Sequence, residues 1–243
     1  MNRLNKINID PDQSTIGEIV ANNYQAAGVF QRFGLDFCCG GGKTISAACK
    51  ENSVSKDELL KELNALNRGK PSEESSFRSW EPDALIDYII DTHHNFVRNK
   101  IVEISTWAAK VAKVHGKTWP ENVEIHRTFG ELADEMLRHL ADEEQTVFPL
   151  IREIYQKRLS GAPVDADQIE QLRNELQSMV DDHDGAGDAM KKIRSLSHDF
   201  TPPEEACTTY RILYQNLRDF EKDLHKHVHL ENNILFKKAE KLI

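Results

Sequence analysis

The chain has 243 residues, of which 39% are hydrophobic and 29% charged, a composition that can bury a core and excludes a disordered or membrane-embedded protein. Its 40 acidic residues outnumber its 31 basic ones, and the formal net charge of −9 argues against nucleic acid and anionic membrane surfaces as partners. No apolar stretch reaches the roughly 18 residues that cross a bilayer, and four cysteines cannot build a disulfide framework. We therefore expect a cytoplasmic protein, of a length that suits one large domain or a large and a small one.

The N-terminal quarter of the chain predicts a series of helices. Apolar residues recur at helical spacing over 14–33 and predict a helix that ends at Gly34. A short loop over 36–42 follows, and it contains two adjacent cysteines and three glycines. After the loop, the sequence predicts a brief helix near residues 44–51.

A capping-box pair, Ser55 and Glu58, predicts the start of a further helix that reaches about residue 67. The stretch after this helix is polar and contains glycine, proline and several serines, as linkers do. We therefore predict a helical N-terminal domain over residues 1–68 and a linker over residues 69–79.

The remainder of the chain predicts a four-helix bundle. It contains no convincing alternating strand pattern, and the segments between its helical stretches are short, which favours antiparallel neighbours. We predict an all-α fold, in which the small helical N-terminal domain precedes an up-down-up-down four-helix bundle over residues 80–243. The predicted bundle helices cover residues 82–115, 123–159, 165–197 and 203–242.

Two of these helices share a pattern of metal-binding side chains. His139 and Glu143 are four residues apart, and so are His227 and Glu231. Four residues span about 400° of an α-helix, so both members of a pair leave the same face. An isolated pair of this kind is usually a solvated surface pair, so it indicates a metal site only if several such side chains converge.

The spacing of histidines along the bundle predicts that convergence. Four of them, one on each predicted helix, follow one another at intervals of 45, 44 and 44 residues. Helix-plus-loop units of similar length bring such positions to a similar depth in an antiparallel bundle. Because inward-facing imidazoles and carboxylates without a metal would cost several kcal/mol, we predict a metal centre. Its predicted ligands are His94, His139, Glu143, His183, His227 and Glu231.

The donor set indicates the class of metal and the number of ions. Imidazole and carboxylate ligands without cysteine suit iron, manganese or zinc. If each glutamate bridges, the six side chains and a bridging oxide or hydroxide leave about one open position on each of two octahedral ions. Two histidines then bind each ion, for example His94 with His139 and His183 with His227, a division that the sequence leaves open. Open positions suit ligand exchange or the binding of O₂ or NO.

Other histidines of the bundle are predicted to lie outside this centre. His93 points about 100° away from its neighbour His94, so only one of the two faces the core. We place His94 there, because apolar residues precede and follow it at helical spacing. His229 is predicted to face away from His227. Two carboxylates that lie one turn before predicted ligands, and could accept an imidazole N–H, are Glu135 and Asp223.

Cys38 and Cys39, which precede the three glycines, are the other unusual feature. Adjacent cysteines form a disulfide with each other only under strain, and their spacing is not that of a zinc knuckle or a thioredoxin. The glycines permit positive φ and leave backbone amides that could stabilise a thiolate. Two interpretations stay open: a reactive or metal-accepting thiol pair, and two small packed residues. Cys49 and Cys207 are predicted to be inert in apolar surroundings.

The double cysteine, followed by a bundle with this histidine pattern, resembles the di-iron iron–sulfur cluster repair proteins (the RIC or ScdA-like family). The likeness extends from about residue 12 to residue 238. By this resemblance the bundle is hemerythrin-like, and the six predicted ligands correspond to ligands of two iron ions bridged by oxide or hydroxide and by carboxylates. Cys38 and Cys39 correspond to the family's N-terminal cysteine pair. The segments that carry the resemblance are 36–41, 143–149, 182–187, 202–209 and 230–233.

The resemblance implies that the protein repairs iron–sulfur clusters damaged by nitric oxide or peroxide, as an iron donor rather than a conventional enzyme. Its partners would be damaged iron–sulfur proteins, and the sequence leaves open whether the chain forms a homodimer. In this hypothesis Cys38 and Cys39 assist iron transfer or redox chemistry. Two other functions stay open: an NO- or O₂-binding sensor, scavenger or reductase, and an interaction module in which the metal is structural.

Overall fold

The computed structural model describes residues 9–66 and 77–243, and within them the fold is all-α, as predicted. These residues form eight helices, and the isolated pairing of extended backbone among them is a bridge between Thr15 and Thr44. Most of the predicted linker over 69–79 lies outside the described residues, and so does residue 67, the predicted end of the last N-terminal helix. No helix in the described part of the chain is both long enough and apolar enough to span a membrane.

The N-terminal region contains four short helices. The first begins with a capping box, in which the Thr15 hydroxyl accepts the N–H of Glu18 and the Glu18 carboxylate accepts the N–H of Thr15. The predicted single helix over 14–33 is wrong, because Asn23 is extended and its side chain accepts the N–H of Gln25, which starts a new helix. The four helices are α1 (Ile16–Asn22), α2 (Gln25–Arg32), α3 (Ile45–Glu51) and α4 (Lys56–Leu66).

Helices α3 and α4 begin where the sequence predicts. The hydroxyl of Thr44 accepts the N–H of Ala47 at 3.3 Å, and the hydroxyl of Ser55 accepts the N–H of Glu58 at 3.4 Å. Both caps satisfy backbone donors that a helix leaves without an internal partner. Side chains of this region that are completely buried are Phe30, Ile45 and Leu59.

Four long helical runs form the bundle, and most of their bounds agree with the prediction. The last run begins at Thr208 rather than at residue 203, because the carbonyls of Glu204 and Ala206 accept hydrogen bonds from the guanidinium of Arg211 instead of entering a helix. The four runs are α5 (82–115), α6 (121–160), α7 (Ala166–Leu196) and α8 (208–240).

Three of the long helices contain a π-turn, in which backbone hydrogen bonds join residues five apart instead of four. The π-turns are Ile89–His94 in α5, Glu143–Val147 in α6 and Glu231–Leu235 in α8. A hydrophobic period of 3.6 residues does not predict them. Each π-turn contains a predicted metal ligand, and π-turns occur frequently at functional sites.

The chain forms two compact units. The first comprises residues up to Leu85 together with Val228–Lys241, and the second comprises Ile86–His227 with Leu242–Ile243. The C-terminal turns of α8 therefore belong to the first unit. In the second unit, the core between the helices contains completely or almost completely buried Phe129, Phe148, Ile151 and Phe220.

Candidate metal centre

The second unit brings five of the predicted ligands together in its core. His94 ends the π-turn of α5, His139 and Glu143 lie one turn apart on α6, His183 lies at the middle of α7, and His227 lies on α8. All five side chains are buried. Their nitrogen and oxygen atoms form two groups, each within 4.8 Å: His94, Glu143 and His227 in one, and His139, Glu143 and His183 in the other. The example division of the histidines, His94 with His139 and His183 with His227, is therefore not the one that the structure shows.

Glu143 lies between the two groups of histidines. Its Oε2 atom is 3.3 Å from Nε2 of His94 and 3.4 Å from Nε2 of His139. In the second group, the Nε2 atoms of His139 and His183 are 2.9 Å apart. Two nitrogens that bind one ion at right angles, with bonds of about 2.0–2.1 Å, lie about 2.9 Å apart.

The residues present fit a metal ion. The side chain of Glu143 is 0% exposed, and neither of its carboxylate oxygens has a hydrogen-bond partner among residues 9–66 and 77–243. A carboxylate buried in this way costs several kcal/mol unless a cation or a donor satisfies it. Imidazole and carboxylate ligands around a shared carboxylate suit iron, manganese or zinc. The donor set therefore matches a centre in which Glu143 serves two ions.

Glu231, the sixth predicted ligand, lies one turn after His227 on α8 and starts the third π-turn. Its side chain is 0% exposed. Because the two residues are four apart on one continuous helix, they share a helix face.

In two of the histidines, the Nδ1 nitrogen contacts a carboxylate. Nδ1 of His94 is 2.7 Å from Oε1 of Glu144, and Nδ1 of His139 is 3.3 Å from Oδ2 of Asp182. Such contacts fix the ring orientation and increase the basicity of the ligating nitrogen. Although partial burial acts to raise the pKa of Glu144, hydrogen bonds from Arg98 and His94 lower it, so the carboxylate stays ionised.

These partners differ from the carboxylates that helical spacing suggests. Asp223 lies 3.0 Å from Nδ1 of His93 rather than holding His227, and Glu135 lines a cavity. Glu144 and Asp182 each directly adjoin a ligand in the sequence, and this adjacency is the signal that could have found them.

His93 and His229 are both buried, contrary to the prediction that they face away. His93 is 1% exposed and stacks on His227, with ring centroids 5.6 Å apart and planes 6° from parallel. The prediction is wrong because the π-turn over Ile89–His94 changes the angle between successive side chains. His229 packs against the rings of Tyr24 and Phe37 in the first unit, and burial lowers its pKa to about 3.

A cavity of about 490 Å³ adjoins His139. Acidic residues outnumber basic ones among the residues that line it, since the basic residues there are Arg138 and His139. A wall with this excess of carboxylates attracts cations. The carboxylates that line it are Glu135, Asp142, Asp181 and Asp182.

The two cysteines of the loop lie in the first unit, and both are free thiols. Cys38 is buried and Cys39 is partly exposed. The backbone amides of both residues donate to Oδ1 of Asp36. The prediction that amides of the glycines lower a thiol pKa is wrong for Cys38, whose pKa is raised. A hydrogen bond with Cys39, burial and the charge of Asp36 instead raise the pKa of the Cys38 thiol.

The three glycines after the cysteines form a short 3₁₀ turn, Gly40–Gly42, and none of them has a positive φ. The remaining cysteines differ from each other. Cys49 is buried as predicted, whereas Cys207 is exposed and lies 3.2 Å from Nε2 of His115, so its predicted apolar surroundings are wrong.

Comparison with known proteins shows the family of the chain. The family described as "Domain of Unknown function (DUF542)", ScdA_N, matches residues 12–67, and the family described as "Hemerythrin HHE cation binding domain" matches residues 85–239. The iron-sulfur cluster repair protein ScdA of Staphylococcus haemolyticus is 33% identical over 93% of this chain and 98% of its own length. The iron-sulfur cluster repair protein YtfE of Dickeya chrysanthemi is 33% identical over 94% of this chain and 96% of its own length.

The chain belongs to the ScdA/YtfE family of iron–sulfur cluster repair proteins. The family resemblance proposed from the motifs is confirmed. The ScdA_N match contains Cys38 and Cys39, and the hemerythrin match contains all six predicted ligands. Together, the hemerythrin match and the buried histidine–glutamate groups indicate that the bundle of this ScdA/YtfE-family protein binds iron.

Proposed function

We propose that the protein repairs iron–sulfur clusters damaged by nitric oxide or peroxide, and that it does so by donating iron from a di-iron centre. The observation that carries this proposal is the position of Glu143, whose buried carboxylate belongs to both groups of histidines. A carboxylate shared in this way suits two ions better than one. The relatives named iron–sulfur cluster repair proteins support the proposed activity.

The geometry supports one assignment of ligands. His94 and His227 would hold one ion, His139 and His183 would hold the other, and Glu143 would serve both. Glu231 is buried and shares the helix face of His227, and by the family resemblance it would be the second carboxylate that serves both ions. Each ion would then be held by two histidines and two carboxylates, a set that would leave room for an exchangeable small ligand. When bound, the iron pair would supply iron that a cellular electron donor reduces to the ferrous form, which is the cargo of the proposed transfer.

The acidic cavity beside His139 is the exit for this cargo. His139 is the ligand that forms part of the cavity wall, so it separates the buried groups from the cavity. Oxygen ligands suit ferrous iron, and the four carboxylates of the wall provide them within reach of His139. Asp182 lines the cavity and also contacts Nδ1 of His139. An iron ion bound in the cavity would therefore affect the orientation of the His139 ring.

The clients are damaged iron–sulfur proteins in the cytoplasm. The four cysteines are all free, as a reducing compartment requires. The cysteine pair of the first unit assists the transfer of iron to the client.

The proposal is tested by incubating iron-loaded protein with an enzyme whose [4Fe–4S] cluster has been damaged by nitric oxide or peroxide. We expect the wild-type protein to restore the activity of the client in proportion to the iron it loses. His183→Ala and Glu143→Gln should abolish the restoration, whereas His126→Ala, on the same helix as Glu143 but outside both groups, should leave it unchanged. Restoration that survives both ligand substitutions would exclude iron donation.

The same protein distinguishes donation from NO chemistry. A donor is consumed, so its effect is stoichiometric with the iron lost. Turnover of many NO molecules per chain, without loss of iron, would instead show an NO reductase or scavenger. Iron that a strong chelator cannot remove from the reduced protein would show a structural metal.

A further inference from the structure

The loop between α2 and α3 brings three metal-binding side chains together in the first unit. Asp36, Cys38 and Cys39 each place one ligand atom within 4.8 Å of the other two. The Sγ atom of Cys38 is 3.1 Å from Oδ1 of Asp36 and 3.9 Å from Sγ of Cys39. These three side chains lie outside the two histidine–glutamate groups of the bundle.

The separation of the two sulfur atoms suits a single ion. The sulfur atoms are far beyond the roughly 2.05 Å of a disulfide bond. Two thiolates that bind one tetrahedral ion, with bonds of about 2.3 Å, lie about 3.8 Å apart. The observed 3.9 Å agrees with that value.

The backbone explains why adjacent cysteines point the same way. In an extended chain, successive side chains point to opposite sides. Cys39 is instead in the right-handed helical conformation, with φ −77° and ψ −41°, and it starts the 3₁₀ turn Gly40–Gly42. Asp36 is held on the same side, because its Oδ1 accepts the backbone N–H of both cysteines at 3.1 Å.

Asn233 holds the loop in this conformation. Its Nδ2 atom donates to the carbonyls of Phe37 and Cys38 at 3.3 and 3.2 Å. Gly41 has no side chain where Asn233 approaches, and a Cβ atom at Gly41 would lie 2.5 Å from Oδ1 of Asn233. The loop is therefore built around the amide and does not depend on the ion for its shape, a preorganisation that favours binding.

We propose that Asp36, Cys38 and Cys39 form a binding site for one borderline-soft divalent cation, with two thiolates and one carboxylate as ligands. Ferrous iron, cobalt and zinc belong to this class of cations. The partly exposed Asp36 and Cys39 leave the fourth position to solvent or to a ligand from another molecule. Binding releases the thiol protons, because thiolates and not thiols bind metals.

The site is distinct in chemistry from the bundle centre, which contains no thiolate. This difference supplies a selective probe. Cobalt bound by thiolates shows an intense charge-transfer absorption in the near ultraviolet, which cobalt bound only by nitrogen and oxygen lacks. The proposal does not rest on the proposed function, and the two can fail separately.

The experiment is a titration of the reduced full-length protein with Co²⁺, followed by near-ultraviolet absorption. We expect a thiolate-to-cobalt band whose amplitude at saturation corresponds to one thiolate-bound ion per chain, in addition to any cobalt that the bundle centre binds. The band should be halved per bound ion in Cys39→Ser, unchanged in Cys49→Ser, and unchanged in His183→Ala, which disturbs only the bundle. Asp36→Asn should keep the band but weaken Co²⁺ binding on the order of 10-fold or more.

Several results would overturn the proposal. They are the absence of a thiolate band at saturating Co²⁺, a full band in Cys39→Ser, and unchanged affinity in Asp36→Asn. Because Cys38 is buried, the cobalt band of Cys38→Ser is compared with that of the wild type only after circular dichroism shows native helix content. Cys39 is partly exposed, so Cys39→Ser is the decisive variant. If the protein shows the cobalt band but fails to restore clusters, the proposed metal site is supported and the proposed function is rejected.

Discussion

Nε2 of His183 lies 2.9 Å from Nε2 of His139, although the two residues are 44 positions apart and lie on different helices. Both rings are buried, and their planes are 67° apart in an edge-to-face contact. Two neutral imidazoles can share one proton at this distance, but a cation between them satisfies both nitrogens. We therefore expect one ion of the proposed pair to bind between these two nitrogens. The contacts of the two rings with neighbouring residues lead to the predictions below.

The carboxylates that hold the ligand rings should control metal affinity. Asp182→Asn keeps the shape of the side chain but weakens the contact with Nδ1 of His139, so we expect iron affinity to fall about 10–100-fold. Competition with a chromogenic chelator measures the change. Asp184→Asn, an exposed substitution one residue beyond His183, is the matched control, and equal iron release from the two variants would contradict the prediction.

Glu143→Gln should have opposite effects on the two forms of the protein. Without metal, the neutral amide costs less to bury than the carboxylate, so we expect the free energy of unfolding to rise by about 1–2 kcal/mol. With iron, the variant loses the shared ligand and should be less stable than the wild type. Urea denaturation of both forms gives the comparison, with the exposed Asp134→Asn on the same helix as control. Destabilisation of both forms would show that Glu143 is a structural residue.

The two neighbouring glycines of the cysteine loop should respond differently to alanine. Gly41→Ala places a Cβ atom 2.5 Å from Oδ1 of Asn233, and we expect it to lower the free energy of unfolding by about 1–3 kcal/mol. A Cβ atom at Gly42 meets nothing within 4 Å, so Gly42→Ala should be neutral or slightly stabilising. In an Asn233→Ala background the cost of Gly41→Ala should shrink. An equal cost in both backgrounds would reject the packing explanation.

The thiols should be alkylated in the order of their exposure. Cys39 and Cys207 should react with iodoacetamide at neutral pH before Cys38 and Cys49, which are each 4% exposed. Because its pKa is raised, the Cys38 thiol is protonated at neutral pH, and its reaction should accelerate as the pH rises toward that pKa. Peptide mass spectrometry after timed quenching at about pH 7 and about pH 9 measures each site on both sides of the usual thiol pKa. Cys38 that reacts as fast as Cys39 at neutral pH would contradict the buried, protonated thiol.

The sequence alone predicts the long helices and most of the site because both depend on simple repeats. His94, His139, His183 and His227 recur at nearly equal intervals, and antiparallel helices of similar length must then bring them to one level. The pairing of histidines could not be predicted, since it depends on how the helices pack. Glu144 and Asp182 directly adjoin Glu143 and His183 in the sequence, but which histidine each of them contacts also depends on that packing.

The π-turn of α5 explains the wrong prediction about His93. A helical wheel assumes about 100° per residue, so it places His93 and His94 on different faces. The π-turn over Ile89–His94 adds a residue to one turn, and both rings become buried. π-turns are rare and occur frequently at functional sites, so a helical wheel built on a regular α-helix does not predict the one over Ile89–His94.

Whether two iron ions share Glu143 can be decided by metal analysis of protein reconstituted with ferrous iron under anaerobic conditions and then exposed to air. We predict about two iron ions per chain, an absorption band of an oxo-bridged ferric pair, and the loss of that band in Glu143→Gln. One iron per chain, or a preference for a single colourless zinc ion with the same five residues intact, would contradict a di-iron centre bridged by this carboxylate.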